Sequence, residues 1–269
     1  MMNYFIYTYK KVFFIQQLNK LKAQKNMNFT CYKRFISSSS YSVTSLDLDF
    51  SYSLLGDIGM VNLTYALKMY KNLIDLKLNL YFNKVNDKNL ANICSSLEQM
   101  KSLKSLALCL SGSLFDLESN NLTDSSTIAL SNLLKQLENL KHLSIQLDYQ
   151  EISDKGLQEL CRGLSHCKQL KSLDLNLYAN NIKDEGFCQL GVCLGKIEKL
   201  TILNLYLGYN QINDKGAKIF VEEILNNKQI TSIKLDIFQS KTSDLIPYLN
   251  KLMKLRKLTQ FNLKISKYY

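Results

Sequence analysis

Residues 170–190 read LKSLDLNLYANNIKDEGFCQL, and this stretch contains one complete copy of the pattern that indicates the fold. Its first half alternates Leu173, Leu175 and Leu177 with polar residues, which is the period of a β-strand with one buried face. Its second half begins at Asp184 and continues with apolar residues three and four positions apart, which is the period of a helix face. One unit of this kind therefore reads strand, turn, helix and loop.

The same pattern recurs along the chain at a nearly constant spacing. Aligned copies start at Val43, Leu73, Leu103, Leu140, Leu170, Leu200, Ile230 and Leu258, so the steps are 30, 30, 37, 30, 30, 30 and 28 residues. A repeat of this length marks a solenoid, because one unit can bury its apolar face only by stacking on its neighbours. We therefore expect an α/β solenoid of about eight repeats over residues 43–269.

Two polar positions recur with the leucines. After the strand comes an amide, which we expect to bond to the backbone of the adjacent turn. Its copies are Asn83, Asn120, Asn180 and Asn210, with Ser53, Gln150 and Ser240 at the same place elsewhere. Directly before each predicted helix stands a carboxylate, at Asp57, Asp87, Asp124, Asp154, Asp184, Asp214 and Asp244. We expect each of these carboxylates to cap its own helix, where free N–H groups and the helix dipole favour an anion, rather than to bind a metal.

These columns resemble the leucine-rich repeat family, specifically its ribonuclease-inhibitor-like class. The resemblance covers residues 43–269 and rests on the repeat positions held by Leu170, Leu173, Leu175, Asn180 and Ile182. It implies a horseshoe with parallel strands on the concave face and helices on the convex face. Two extra residues, including Leu177, separate the strand from the amide, and they lengthen the strand without reversing its faces. This longer form resembles repeat proteins of ciliated protists.

Residues 1–42 do not carry the repeat and form a basic segment. They hold seven of the 34 Lys and Arg residues and no Asp or Glu, so they account for +7 of the net charge of +11 and leave +4 for the repeats. An amphipathic run with Phe13, Phe14 and Leu18 is followed by the serines 37–40. Three interpretations stay open for this segment: a cap over the first repeat, a leftover of a larger gene model, or a mitochondrial presequence.

The sequence lacks the motifs of common catalytic sites. It has no Gly-rich phosphate loop, no His-Arg-Asp or Asp-Phe-Gly of a kinase, and no Gly-x-Ser-x-Gly. His142 and His166 are its two histidines and lack metal-ligand spacing, and none of the seven cysteines forms a Cys-x-x-Cys pair. We therefore expect no enzyme activity, no cofactor and no metal, with the cysteines serving as small apolar residues in a reducing compartment. No apolar stretch is long enough to predict a transmembrane segment.

The strand register predicts which side chains face the concave surface. They are small and polar and include Asp75, Asp174 and Asp236, with Tyr206 among them. Because this set is not a basic groove with stacking aromatics, it does not predict nucleic-acid binding. Aromatic residues gather one step on, where the strands end, and tyrosine is enriched at protein interfaces. The candidate contact residues at these strand ends are Tyr81, Phe82, Tyr149, Tyr178, Tyr209 and Phe238.

An alternative interpretation is that these rings pack against one another and only seal the array. A further candidate is the 37-residue step, which adds residues 111–117 to the third repeat and predicts a bulge at the same rim.

The leading hypothesis is a non-catalytic scaffold, cytoplasmic, that binds a partner protein through the concave face and the adjacent loop rim. Two alternatives remain: a structural subunit of a mitochondrial assembly, and a regulatory fragment of a kinase-like multidomain protein.

Overall fold

The computed structural model describes residues 26–38, 42–113, 119–238, 250–253 and 255–264. Within them, nine strands form one parallel sheet whose spatial order is the order of the strands in the chain. The strands are β1 (Asn26–Phe29), β2 (Ser45–Asp49), β3 (Asp75–Asn79), β4 (Ser105–Cys109), β5 (His142–Gln146), β6 (Ser172–Asn176), β7 (Ile202–Tyr206), β8 (Ser232–Asp236) and β9 (Gln260–Lys264). This open sheet confirms the predicted leucine-rich repeat solenoid.

Helices connect successive strands and pack against one another in the same sequential order. They are α1 (Tyr32–Ile36), α2 (Gly56–Leu67), α3 (Asp87–Leu97), α4 (Asp124–Gln136), α5 (Asp154–Leu164), α6 (Asp184–Gly195) and α7 (Asp214–Ile224). The predicted positions Ser240 and Asp244, and residues 114–117 of the insertion, lie outside the described residues.

The core lies between the sheet and the helices and runs through the whole array. Leu175 of β6 pairs with Ile145 of β5 and with Leu205 of β7, so equivalent apolar residues lie side by side across neighbouring strands. Leu190 and Leu194 on α6 are equally buried, as the helical period predicted. Each unit is therefore covered by its two neighbours, which is why the leucine columns are complete.

The first strand of the described part of the chain lies inside the basic N-terminal segment. Strand β1 runs parallel to β2, with Met27 opposite Leu46, and adds one strand to the eight expected from the leucine pattern. On α1, Phe35 is buried and stacks on Tyr70 with ring centroids 5.6 Å apart. Residues 26–38 thus cover the core of the first full repeat. Residues 1–25, with Phe13, Phe14 and Leu18, lie outside the described part of the chain.

The recurring amide bonds to the backbone, as predicted, and it also joins two repeats. Asn180 is buried; its Nδ2 donates to the carbonyl of Leu147 at 2.8 Å, and its Oδ1 accepts the N–H of Ile152 at 2.9 Å. Both partners belong to the preceding repeat. The same bridging pattern recurs at Asn83, Asn120, Gln150 and Asn210.

The described aspartates stand in the first turns of their helices, near the positive end of the dipole as expected, but none is the N-cap, so the capping prediction was wrong. In α3, α4, α5 and α7 the aspartate is the first helical residue, and the side chain of the residue before it is the cap. The capping residues are Asn86, Thr123, Ser153 and Asn213. The carboxylate instead reaches the next repeat, where Asp87 accepts the N–H of Thr123 at 2.9 Å. Backbone N–H groups at a helix N-terminus have no partner within the helix, and here the carboxylate of the preceding repeat accepts one of them.

Candidate functional site

The concave face is polar, but its three predicted aspartates differ in how accessible they are. Asp75 is exposed on β3. Asp174 is half-buried and accepts a hydrogen bond from Nε2 of Gln146 at 2.7 Å. Asp236 is only 7% exposed, and its carboxylate lies 3.1 Å from Nζ of Lys264. Of these three aspartates, only Asp75 is exposed to a partner on this face.

Tyr206 lies on the concave face, half-buried, and already has a cation over its ring. Nζ of Lys234 from the next strand lies 4.8 Å from the ring centroid. Hydrogen bonding to Tyr206 raises the pKa of Lys234. At the far end of the rim, Lys264 lies 5.0 Å from the ring centroid of Phe238 in the same manner. Rings on this surface thus accept cations.

The rings at the strand ends form two groups rather than one continuous row. The first ring stack consists of Tyr52, Tyr81 and Phe82, with centroids 4.7 to 5.2 Å apart. The second ring stack consists of Tyr149, Tyr178, Tyr209 and Phe238, whose successive centroids are 5.6, 4.9 and 5.8 Å apart. The six residues predicted at the strand ends all belong to one stack or the other.

Tyr52 is the ring that the sequence reasoning missed, although it is 63% exposed. Its position in the repeat could have identified it. Four rings each stand three residues after the end of their strand, namely Tyr52, Phe82, Tyr149 and Tyr209. The first repeat has Ser53 in place of the amide, which concealed the alignment.

The turn holds this column in the left-handed backbone region. The φ angles are 55° at Tyr52, 58° at Phe82, 55° at Tyr149 and 56° at Tyr209, and Ala179, which has no ring at this position, has a φ of 53°. Glycine adopts such angles freely, whereas a bulky residue does so at a cost. At Tyr52, Tyr149, Ala179 and Tyr209 the backbone N–H donates to a carbonyl of the next repeat, as from Tyr209 to Phe238 at 2.7 Å.

The third repeat interrupts the ring column and opens a cavity. Ser111 and Gly112 stand where other repeats carry rings, and a Cβ atom on Gly112 would lie 2.2 Å from the carbonyl oxygen of Tyr149. No larger residue fits there without moving the turn. The resulting cavity of about 570 Å³ lies between the two ring stacks. Its lining residues are Ser51, Tyr52, Asn79, Tyr81, Cys109, Ser111, Gly112, Ser113, Asp148 and Tyr149.

Asp148 gives this cavity a negative charge. Its Oδ1 accepts hydrogen bonds from the Ser111 hydroxyl and from Nδ2 of Asn176, the latter at 2.9 Å. Burial raises the pKa of Asp148 above its ordinary value, and hydrogen bonding from Ser111 only partly offsets that effect. Burial likewise raises the pKa of the Cys109 thiol, and the charges of Asp148 and Asp49 add to the shift.

The residues considered for catalysis do not converge. His142 is exposed on β5, and His166 is exposed beyond the end of α5. All seven cysteines are unpaired, and Cys94, Cys161 and Cys167 are buried. Within the described ranges, no group of three His, Cys, Asp or Glu side chains is placed to hold a metal ion. The same part of the chain contains no helix with the length and apolar character needed to span a membrane.

Comparison with solved structures includes two distant likenesses. No family model and no curated protein matches the chain. Internalin C2 from Listeria monocytogenes is 21% identical, with a TM-score of 0.39 over 75% of this chain and 67% of its own. Internalin F from the same bacterium is 19% identical, with a TM-score of 0.33 over 85% and 77% of the two chains. Neither likeness bears on what this chain binds.

Proposed function

We propose that this leucine-rich repeat protein is a non-catalytic scaffold that binds a partner protein along the rim formed by its two ring stacks and the adjacent concave face. The observation that carries the proposal is the placement of exposed aromatic rings in turn positions that favour glycine. Tyr52 is 63% exposed and Tyr209 is 46% exposed, and both have φ near +55°.

The cost of that placement argues against a purely structural role for the rings. A non-glycine residue in the left-handed region costs on the order of 1 kcal/mol. Contacts between neighbouring rings are favourable and offset part of this cost. This offset is what we expect if the rings only seal the array. Sealing alone does not call for rings that keep about half or more of their surface in water, as Tyr52 and Tyr209 do.

Tyrosine suits recognition for a physical reason. It offers a large, rigid surface with one polar end, and ordering it on binding costs little conformational entropy. The rim presents such residues from both halves of the sheet, so an extended partner surface can contact several repeats at once.

The proposal is tested by placing a photo-crosslinking amino acid at Tyr209 of the full chain. Tyr65 on α2 provides the control position, because it is a tyrosine on the helical side of the array that is more exposed than Tyr209, at 66% against 46%. We expect a discrete crosslinked protein from position 209 and none from position 65. Crosslinks of equal yield from both positions, or from position 65 alone, would contradict the proposal.

The affinity for the captured protein then measures the contribution of the ring. We expect Tyr209→Ala to weaken binding by about 2 kcal/mol, which is roughly thirtyfold in Kd. Tyr65→Ala should leave Kd unchanged. An unchanged Kd for Tyr209→Ala would mean that the partner binds elsewhere.

A further inference from the structure

We infer, building on the interaction role proposed above, that the cavity between the two ring stacks accepts an arginine side chain of the partner protein. The guanidinium group would occupy the place of the ring that the third repeat lacks and would pair with Asp148.

The lining of the cavity includes aromatic rings on which a planar group can stack. Tyr81 of the first ring stack and Tyr149 of the second both line it, on either side of the repeat that has Ser111 and Gly112 in place of rings. An arginine side chain is planar at its end and stacks on aromatic faces, so it can continue the ring column across the gap.

The charge of the cavity selects a cation. Both side-chain donors to Asp148 reach Oδ1, and among the described residues no side chain donates to Oδ2. The same residues include no lysine or arginine that forms an ion pair with Asp148. A half-buried carboxylate without a cation is unfavourable, and guanidinium N–H groups would supply strong charge-assisted hydrogen bonds.

Two other rings of this surface already have a lysine of the same chain over them. Lys234 lies over Tyr206 and Lys264 over Phe238, so those two rings already have a cation from this chain. Over the described ranges, no lysine or arginine lies over the rings that line the cavity, and its lining contains none. The described part of the chain thus places no cation in the cavity, and a partner's arginine would supply one.

The test compares two peptides that differ in charge but not in shape. The probes are acetyl-Gly-Arg-Gly-amide and the same peptide with citrulline, whose urea group is a neutral analogue of guanidinium. Binding to the full chain is measured by ligand-observed NMR. We expect the arginine peptide to bind at least tenfold more tightly. Equal affinities in the unmodified protein would overturn the inference without any variant.

A variant assigns the preference to the cavity. Asp148→Asn keeps an oxygen that can accept from Ser111 and Asn176, and we expect it to abolish the preference for arginine. The control Glu198→Gln removes an exposed carboxylate outside the cavity and should keep the preference. A preference that persists in Asp148→Asn would place the arginine elsewhere and overturn the inference.

These results separate the inference from the function on which it rests. If a partner crosslinks at position 209 while the unmodified chain does not distinguish the two peptides, only the arginine inference fails. If the peptides are distinguished but crosslinks form equally at positions 65 and 209, the rim proposal fails and the cavity remains an arginine site.

Discussion

Gly186 lies directly against Asp154 of the preceding repeat: a Cβ atom on this glycine would lie 2.5 Å from Oδ1 of the aspartate. That oxygen accepts the backbone N–H of Lys183 at 2.7 Å, so the carboxylate is held in place by the unit it touches. Gly156 and Gly216 stand in the same relationship to Asp124 and Asp184.

In the earlier repeats the same column carries a donor instead of a glycine. Ser126 donates its hydroxyl to the carboxylate of Asp87, and Nδ2 of Asn89 donates to Asp57 at 3.0 Å. The residue at this position of each repeat is therefore either a glycine, which leaves space for the carboxylate of the preceding repeat, or a side chain that donates a hydrogen bond to it.

Gly186→Ala should destabilise the array by about 1 to 3 kcal/mol, because the added methyl group overpacks the contact with Asp154. In an ordinary helix interior the same change stabilises by about 1 kcal/mol, so the expected sign is reversed. Urea denaturation measures the change. In an Asp154→Ala background the loss should be smaller, since the carboxylate is absent. A gain in stability in the unmodified background would contradict the packing described here.

Asn180→Ala should cost at least about 2 kcal/mol, because it leaves the Leu147 carbonyl and the Ile152 N–H without their partner in the core. Its neighbour Asn181 is exposed and provides a matched control. Asn181→Ala should change the free energy of unfolding by less than about 0.5 kcal/mol. Similar losses for both variants would argue against the bridging role of the buried amide.

The stabilising effect of Asp87 should disappear in acid. Burial opposes its ionisation, but hydrogen bonds from Ser126 and Thr123 outweigh that effect and lower the pKa of Asp87. The ionised form is thus favoured in the folded state. Its contribution is complete above the unfolded-state pKa of about 4 and is lost as the pH falls through the lower folded-state pKa.

Urea denaturation of the unmodified chain and of Asp87→Asn at pH 7, 4 and 3 measures this contribution. The difference in unfolding free energy between the two proteins should narrow as the pH decreases. A difference that is independent of pH would mean that the carboxylate charge does not contribute.

Asp148 should show the opposite dependence. Burial raises the pKa of Asp148, so folding makes ionisation of this carboxyl less favourable than it is in the unfolded chain. Its contribution to stability is present below the unfolded-state pKa of about 4 and decreases as the pH rises through the folded-state value. Asp148→Asn should therefore be at least as stable as the unmodified chain at pH 7, by thermal or urea denaturation. A marked loss of stability at pH 7 would indicate that the carboxylate serves the fold rather than a ligand.

The sequence predicted the candidate site only in part. It identified six rings at the strand ends, because their spacing from the leucines is local and repeats. It did not separate them into two stacks, since the break depends on what Ser111 and Gly112 leave empty between Tyr81 and Tyr149. It also offered Asp236 as a contact residue without revealing that Lys264, a strand away, already pairs with it.

The repeating hydrophobic period by itself determined the parallel sheet, the alternating helices and the faces that are buried, because side-chain direction follows the period of each local element. The bonding partner of each carboxylate, the added strand β1 and the charged cavity of the third repeat become visible in the folded chain. Those features depend on contacts between side chains about thirty residues apart in the chain. The stacking of repeats brings these side chains together, and the sequence pattern within one repeat does not show which residue of the next repeat each will contact.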